Sequence, residues 1–155
     1  MIIVRIVCVG RIKEKYFSDA VKEYSKRLSR FCDFSVIETE EENYFKYDGE
    51  TDKIKEKEGE RIIPLLRGKV IVLGIEGKKY DSCGFAKVIK NCVDRGEEIT
   101  FIIGGSYGLS DEVKQRAAKI ISFSDMTFPH TLFRVLLTEQ IYRAFSINAG
   151  SPYHK

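Results

Sequence analysis

No stretch of this sequence approaches the roughly 20 consecutive apolar residues that a membrane-spanning helix needs. The opening, MIIVRIVCVGRIKEKYF, is apolar for a few residues only and lacks a small-residue cleavage site. It reads as a first strand rather than a secretory leader, so a cytoplasmic setting without membrane contact is expected. Histidine is scarce, with only His130 and His154, and none of Cys8, Cys32, Cys83 and Cys92 forms a C-x-x-C pair. That spacing argues against a structural zinc site, and no metal is expected. The cysteines read as buried and reduced. Neither a G-x-G-x-x-G fingerprint nor a P-loop is present. With no internal repeat, low-complexity tract or clear linker, one domain over residues 1–155 is expected.

What is there suffices for a core. The chain has 155 residues, 43% hydrophobic and 32% charged, the balance of a folded globular protein. A net charge of +3 permits nucleic-acid binding without demanding it. The acidic run within residues 38–42 confines any RNA surface to a local patch.

Residues 2–9 are almost continuously apolar and end at Gly10, the pattern of a strand buried on both faces. Residues 13–30 follow a helical period. Phe17, Ala20, Val21, Tyr24, Leu28 and Phe31 fall on one side, and Lys15, Lys22, Lys26 and Arg30 on the other. Asp19 and Glu23 lie among these cations, so the basic side reads as a solvated face with ordinary ion pairs. Further strands are expected at 34–39, 69–74, 99–103 and 119–123. Helices are expected at 51–66 (disturbed near its end by Pro64), at 82–94 (stopped by Gly96), from a Ser110 N-cap, and at 131–147. Residues 40–49 and 124–130 read as loops, and 76–79 as a turn. This alternation predicts a three-layer α/β/α fold with a mostly parallel sheet.

In such sheets ligands bind beyond the carboxyl ends of strands. Three such ends stand out, at residues 73–77, 104–108 and 123–128, and the middle one (GGSYG) carries three glycines. Alone, that loop serves equally well as a tight turn before a helix. The last helix is apolar around more than half its circumference, which suits a place between the core and a second subunit. The tail, NAGSPYHK, reads by its position at a terminus as a frayed end.

The ordered motifs carry more. Residues 57–60 (KEGE), 73–78 (LGIEGK), 103–110 (IGGSYGLS) and 123–130 (FSDMTFPH) are followed by Arg134, by residues 136–143 (LLTEQIYR) and by the terminal PYHK. In this order and at this length the sequence resembles the RlmH family of the SPOUT superfamily, the large-subunit rRNA pseudouridine N3-methyltransferases. The resemblance implies an α/β fold whose C-terminal part is tied in a deep trefoil knot, an exceptional topology. It implies a homodimer acting on 23S rRNA in the ribosome, with S-adenosylmethionine as methyl donor. By motif match the donor would contact Leu73, Gly104, Phe123, Ser124, Asp125, Met126, Thr127 and Phe128, in an uncharged, partly apolar pocket. Tyr153 and His154 would close over the active site as catalytic residues, from the same or the other subunit. Arg134, Arg143 and Lys155 would meet RNA phosphate, with Glu139 as an alternative partner for the arginines. His130 reads first as a helix cap and second as a base. A related methylase acting on tRNA or another rRNA site, and a non-catalytic ribosome-binding factor, are the competing readings.

Overall fold

A computed structural model describes residues 1–155. Its elements run in the order β1 (Ile3–Val9), α1 (Lys15–Leu28), β2 (Asp33–Thr39), α2 (Thr51–Ile62), β3 (Lys69–Lys79), α3 (Ser82–Asp94), β4 (Ile99–Ile103), α4 (Asp111–Gln115), β5 (Lys119–Ser122) and α5 (His130–Asn148). The five strands form one parallel sheet in the order β2-β1-β4-β3-β5. All carboxyl ends therefore lie along the same edge.

Side chains alternate across a strand, so each central strand feeds two cores. From β1, Val4, Ile6 and Cys8 join the larger cluster, and Val7 and Val9 join the smaller. From β4, Ile99, Phe101 and Ile103 go one way and Ile102 the other. The larger cluster includes Leu28 of α1, Phe85 and Ile89 of α3, and Leu137 and Ile141 of α5. The smaller includes Ile62 of α2 and Val113 of α4. The sheet thus lies between helices on both faces, giving the expected three layers. After β5, at the sheet's edge, residues 123–129 return the chain to α5, which packs on α1 and α3. That path is consistent with a knotted α/β fold. No helix is long and apolar enough to cross a membrane.

Four local features differ from the sequence expectation. The third strand continues to Lys79 through an irregularity between Leu73 and Lys78, after which Lys78 pairs with Ile121 and Lys79 with Ser122. Gly77 permits this, because a Cβ there would lie 2.6 Å from the Ile120 carbonyl. Within residues 40–49, Tyr44–Tyr47 wind into a 3-10 turn started by Asn43, whose side chain accepts from the Phe45 amide. Pro64 converts the end of the second helical stretch into a separate 3-10 turn, Ile63–Leu65. Cys83 is exposed while the other three cysteines are buried. Burial pushes the Cys8 and Cys32 thiols up to about 12, which keeps both protonated.

Candidate active site

Since β4, β3 and β5 are neighbours, the segments leaving their carboxyl ends converge. They enclose a cavity of about 310 Å³, within the range of small-molecule sites. Val72, Leu73, Ile103 and Leu109 give it an apolar floor.

The glycine loop forms one wall. Gly105 and Gly108 pair as an isolated antiparallel bridge, with the Gly108 amide donating to the Gly105 carbonyl at 3.1 Å. Gly108 has φ +87°, which suits glycine. A Cβ at Gly104 would meet Leu109 Cγ at 2.9 Å, so a larger residue there displaces the floor. Ser110 then caps α4 through its hydroxyl oxygen, which accepts from the Val113 amide at 3.3 Å.

Residues 123–128 form the opposite wall. Ser122 Oγ donates to the Ser124 carbonyl at 3.0 Å, and Ser124 Oγ accepts from the Met126 amide at 3.0 Å. These bonds shape a turn that presents Phe123, Ser124, Met126, Thr127 and Phe128 to the cavity. Leu73 and Gly104 face it from the other strand ends. Asp125 departs from the expected donor contacts: it is absent from the lining, and its exposed side chain pairs with Lys79.

Sequence reasoning missed charged groups in the lining. Glu76 and Lys114 stand at the cavity 3.1 Å apart, so their charges largely offset each other. A backbone hydrogen bond and Lys114 hold the Glu76 carboxyl below its usual range against the effect of burial. His130 also lines the cavity. It is the first residue of α5 and makes no capping bond, which corrects the expected helix-cap role. Burial holds its imidazole below the ordinary value despite Glu41 nearby, so it is neutral at pH 7. Glu76 lies within the strand end at 73–77 and His130 within FSDMTFPH, so both stood in flagged segments without a lining role; Lys114 carried no local signal.

Arg134 is the main correction. Its side chain is only 1% exposed. One guanidinium nitrogen donates to Glu38 Oε2 at 2.6 Å and another to the Gly10 carbonyl at 3.1 Å. Glu38 Oε2 also accepts from the Ile12 amide at 3.0 Å. Arg134 therefore ties α5 to the ends of β1 and β2, and offers no surface to an RNA phosphate. A guanidinium this buried needs a carboxylate more than it needs solvent.

The tail forms its own cluster on the far part of α5. Arg143 pairs with Glu139 at 2.7 Å and meets His154 Nδ1 at 3.0 Å. Tyr153 donates its hydroxyl to Glu139 Oε1 at 3.1 Å, beneath the Arg143 guanidinium and against the Tyr142 ring. Burial and Glu139 push the Tyr153 phenol up to about 12. Lys155 is exposed. No residue of the tail lines the cavity. Glu139, which Tyr153 touches, follows the cavity-lining Phe133 by six positions on the same helix, about 9 Å at 1.5 Å per residue.

A family profile described as "Predicted SPOUT methyltransferase" matches residues 2–154. The chain is 50% identical to the ribosomal RNA large subunit methyltransferase H of Lactobacillus acidophilus and 51% identical to that of Streptococcus uberis. In both cases 98% of this chain and 99% of the relative are covered. The chain belongs to the RlmH family of SPOUT methyltransferases. A solved structure of a probable methyltransferase from Bordetella pertussis Tohama I has a TM-score of 0.60 with 10% identity, over 93% of this chain and 95% of that one. At that identity the likeness shows a shared fold alone. The cavity accordingly lies where the family's ordered motifs meet: LGIEGK, IGGSYGLS and FSDMTFPH supply three of its walls.

Proposed function

We propose that this RlmH-family chain transfers the methyl group of S-adenosylmethionine to N3 of a pseudouridine in 23S rRNA of the large ribosomal subunit, acting on assembled ribosomes. The observation that carries the reading is the full-length identity of about 50% to relatives named for methylating large-subunit ribosomal RNA. The cavity supports it. Its apolar floor suits an adenine, and Gly104, Gly105 and Gly108 in its lining leave backbone open to a ligand. Leu73, Gly104, Phe123, Ser124, Met126, Thr127 and Phe128 would hold the donor. Glu76 would face it as the cavity's carboxylate, kept charged by its hydrogen bond and by Lys114.

S-adenosylmethionine supplies a methyl on a cationic sulfonium. In the transfer a carbon–sulfur bond breaks, an N3–carbon bond forms and the N3 proton leaves to a base. The chain's contribution is mainly to orient the acceptor and exclude water. The neutral His130 has a free lone pair at the cavity wall. Tyr153 and His154, with Arg143 and Lys155 beside them, would close over the acceptor nucleotide. Because neither lines the cavity of its own chain, they would reach that of a second copy in a homodimer. Leu132, Val135 and Leu136 on α5 are only half-buried in the single chain and leave apolar surface for that contact.

The test is incubation of the full chain with radiolabelled S-adenosylmethionine and ribosomes lacking the modification, followed by nuclease digestion and mass spectrometry. Label on a large-subunit pseudouridine is the expected result. Donor binding with label only on tRNA would replace the acceptor, and absence of donor binding would overturn the reading.

A further inference from the structure

Eight large hydrophobic side chains are exposed on this molecule: Met1, Tyr16, Tyr44, Phe45, Ile75, Val93, Tyr107 and Met126. Five of them gather around the cavity. Ile75 and Met126 stand in its lining, and Tyr107 lies between Ser106 and Gly108, which also line it. Tyr44 stacks on Tyr107 with ring centroids 5.6 Å apart and planes 22° from parallel. Phe45, 82% exposed, meets Tyr44 edge-on at 5.4 Å. An apolar patch concentrated at one place calls for a partner, whereas scattered exposed residues do not.

The patch is built from two distant segments that the fold holds in fixed relation. Glu58 Oε2, on α2, accepts from the Glu42 amide at 3.0 Å. Its other oxygen is buried without a partner, and a Cβ at Gly105 would lie 3.2 Å from it. One side chain therefore sits between the segment leading to Tyr44 and the glycine loop carrying Tyr107. Asn43 fixes the turn that presents Phe45.

We infer that Tyr44, Phe45 and Tyr107 form a stacking platform for an unpaired base of the RNA substrate, next to the acceptor nucleotide. This rests on the RNA-methylating reading above. The occupant follows from position: an acceptor whose nitrogen reaches the cavity brings its neighbouring nucleotides to the cavity's edge, where these rings lie. Flat aromatic faces hold splayed bases irrespective of sequence. Charge has little part in the patch. Glu42 is occupied by Arg61 and Lys114 by Glu76, and the exposed Lys46, which lies over Tyr47, is offset in its segment by the exposed Glu41 and Asp48.

The experiment measures methyl transfer from S-adenosylmethionine to unmodified ribosomes for the full chain and for Phe45→Ala, Tyr107→Ala, Phe45→Trp and Tyr107→Phe. Each alanine variant is expected to raise the KM for ribosomes about tenfold, a typical loss for one base–aromatic stack. The kcat at saturation and the affinity for S-adenosylmethionine stay within about twofold of the parent, since these rings do not line the cavity. The two aromatic replacements keep the parental KM. Alanine variants with an unchanged KM, in an otherwise active protein, would overturn the platform and leave the methyltransferase reading intact. So would a Phe45→Trp variant as impaired as Phe45→Ala, or a change in sedimentation showing that the rings join two copies of the chain. A parent protein that methylates no ribosomal RNA would overturn both.

Discussion

Arginine at position 134 and arginine at position 143 look alike in the sequence, both on one long, largely apolar helix and both among the ordered motifs. The fold separates them: Arg134 lies inside against Glu38, while Arg143 meets Glu139 and His154 near the surface. Glu58 is a comparable case. It reads as one more charge on a highly charged helix, yet it is 2% exposed with one unpartnered oxygen. Burial raises its carboxyl above the ordinary value of 4.5. A carboxyl raised in the folded state binds more protons there than in the unfolded chain. Its stabilising contribution is present below 4.5 and is lost as pH rises through the folded value. Glu58→Gln is therefore expected to remove that part of the pH dependence and to raise the unfolding midpoint at pH 7. Thermal unfolding from pH 4 to 8 is the check, and a midpoint lowered at pH 7 would contradict it.

At the scale of elements, the β3–β5 pairing is the most constrained joint in the sheet. The register slips between Leu73 and Lys78, and Gly77 lies against the backbone of Ile120 and Ile121. Adding one methyl there pushes directly on main chain, which cannot rotate aside. Gly77→Ala is expected to cost about 2 kcal/mol, within the usual range for overpacking, and to weaken donor binding because Glu76 and Lys114 would move with the strand. Denaturant titration would measure the first effect and calorimetry the second. Stability equal to the parent would show that the joint yields more easily than its contacts imply. The turn at residues 123–128 works differently. Its serines build the curve, five of its six residues face the cavity, and Asp125 turns out to pair with Lys79.

At the scale of the whole molecule, the tail lines no part of the cavity of its own chain. A homodimer in which each tail serves the other chain's cavity, as proposed above, makes a quantitative prediction. A chain lacking residues 153–155 and a Gly104→Val chain with its cavity obstructed should each be inactive. Co-expressed, they should recover about a quarter of parental methyl transfer, since half the pairs are mixed and each mixed pair holds one complete site. No recovery would assign the tail to its own chain's cavity.

The sequence by itself determined the layers, the strand and helix order, the three strand ends that surround the cavity, and family membership. Periodicity, glycine punctuation and motif order are local properties, and they survive in a one-dimensional reading. The tertiary structure alone decided which charges are buried, that β3 runs on past its apolar stretch, and that His130 faces a cavity instead of capping a helix. It also brought Tyr44 against Tyr107, 63 positions apart in the chain. Those outcomes depend on contacts between distant segments, and a side chain's role as anchor, wall or exposed ring is fixed only when its neighbours arrive.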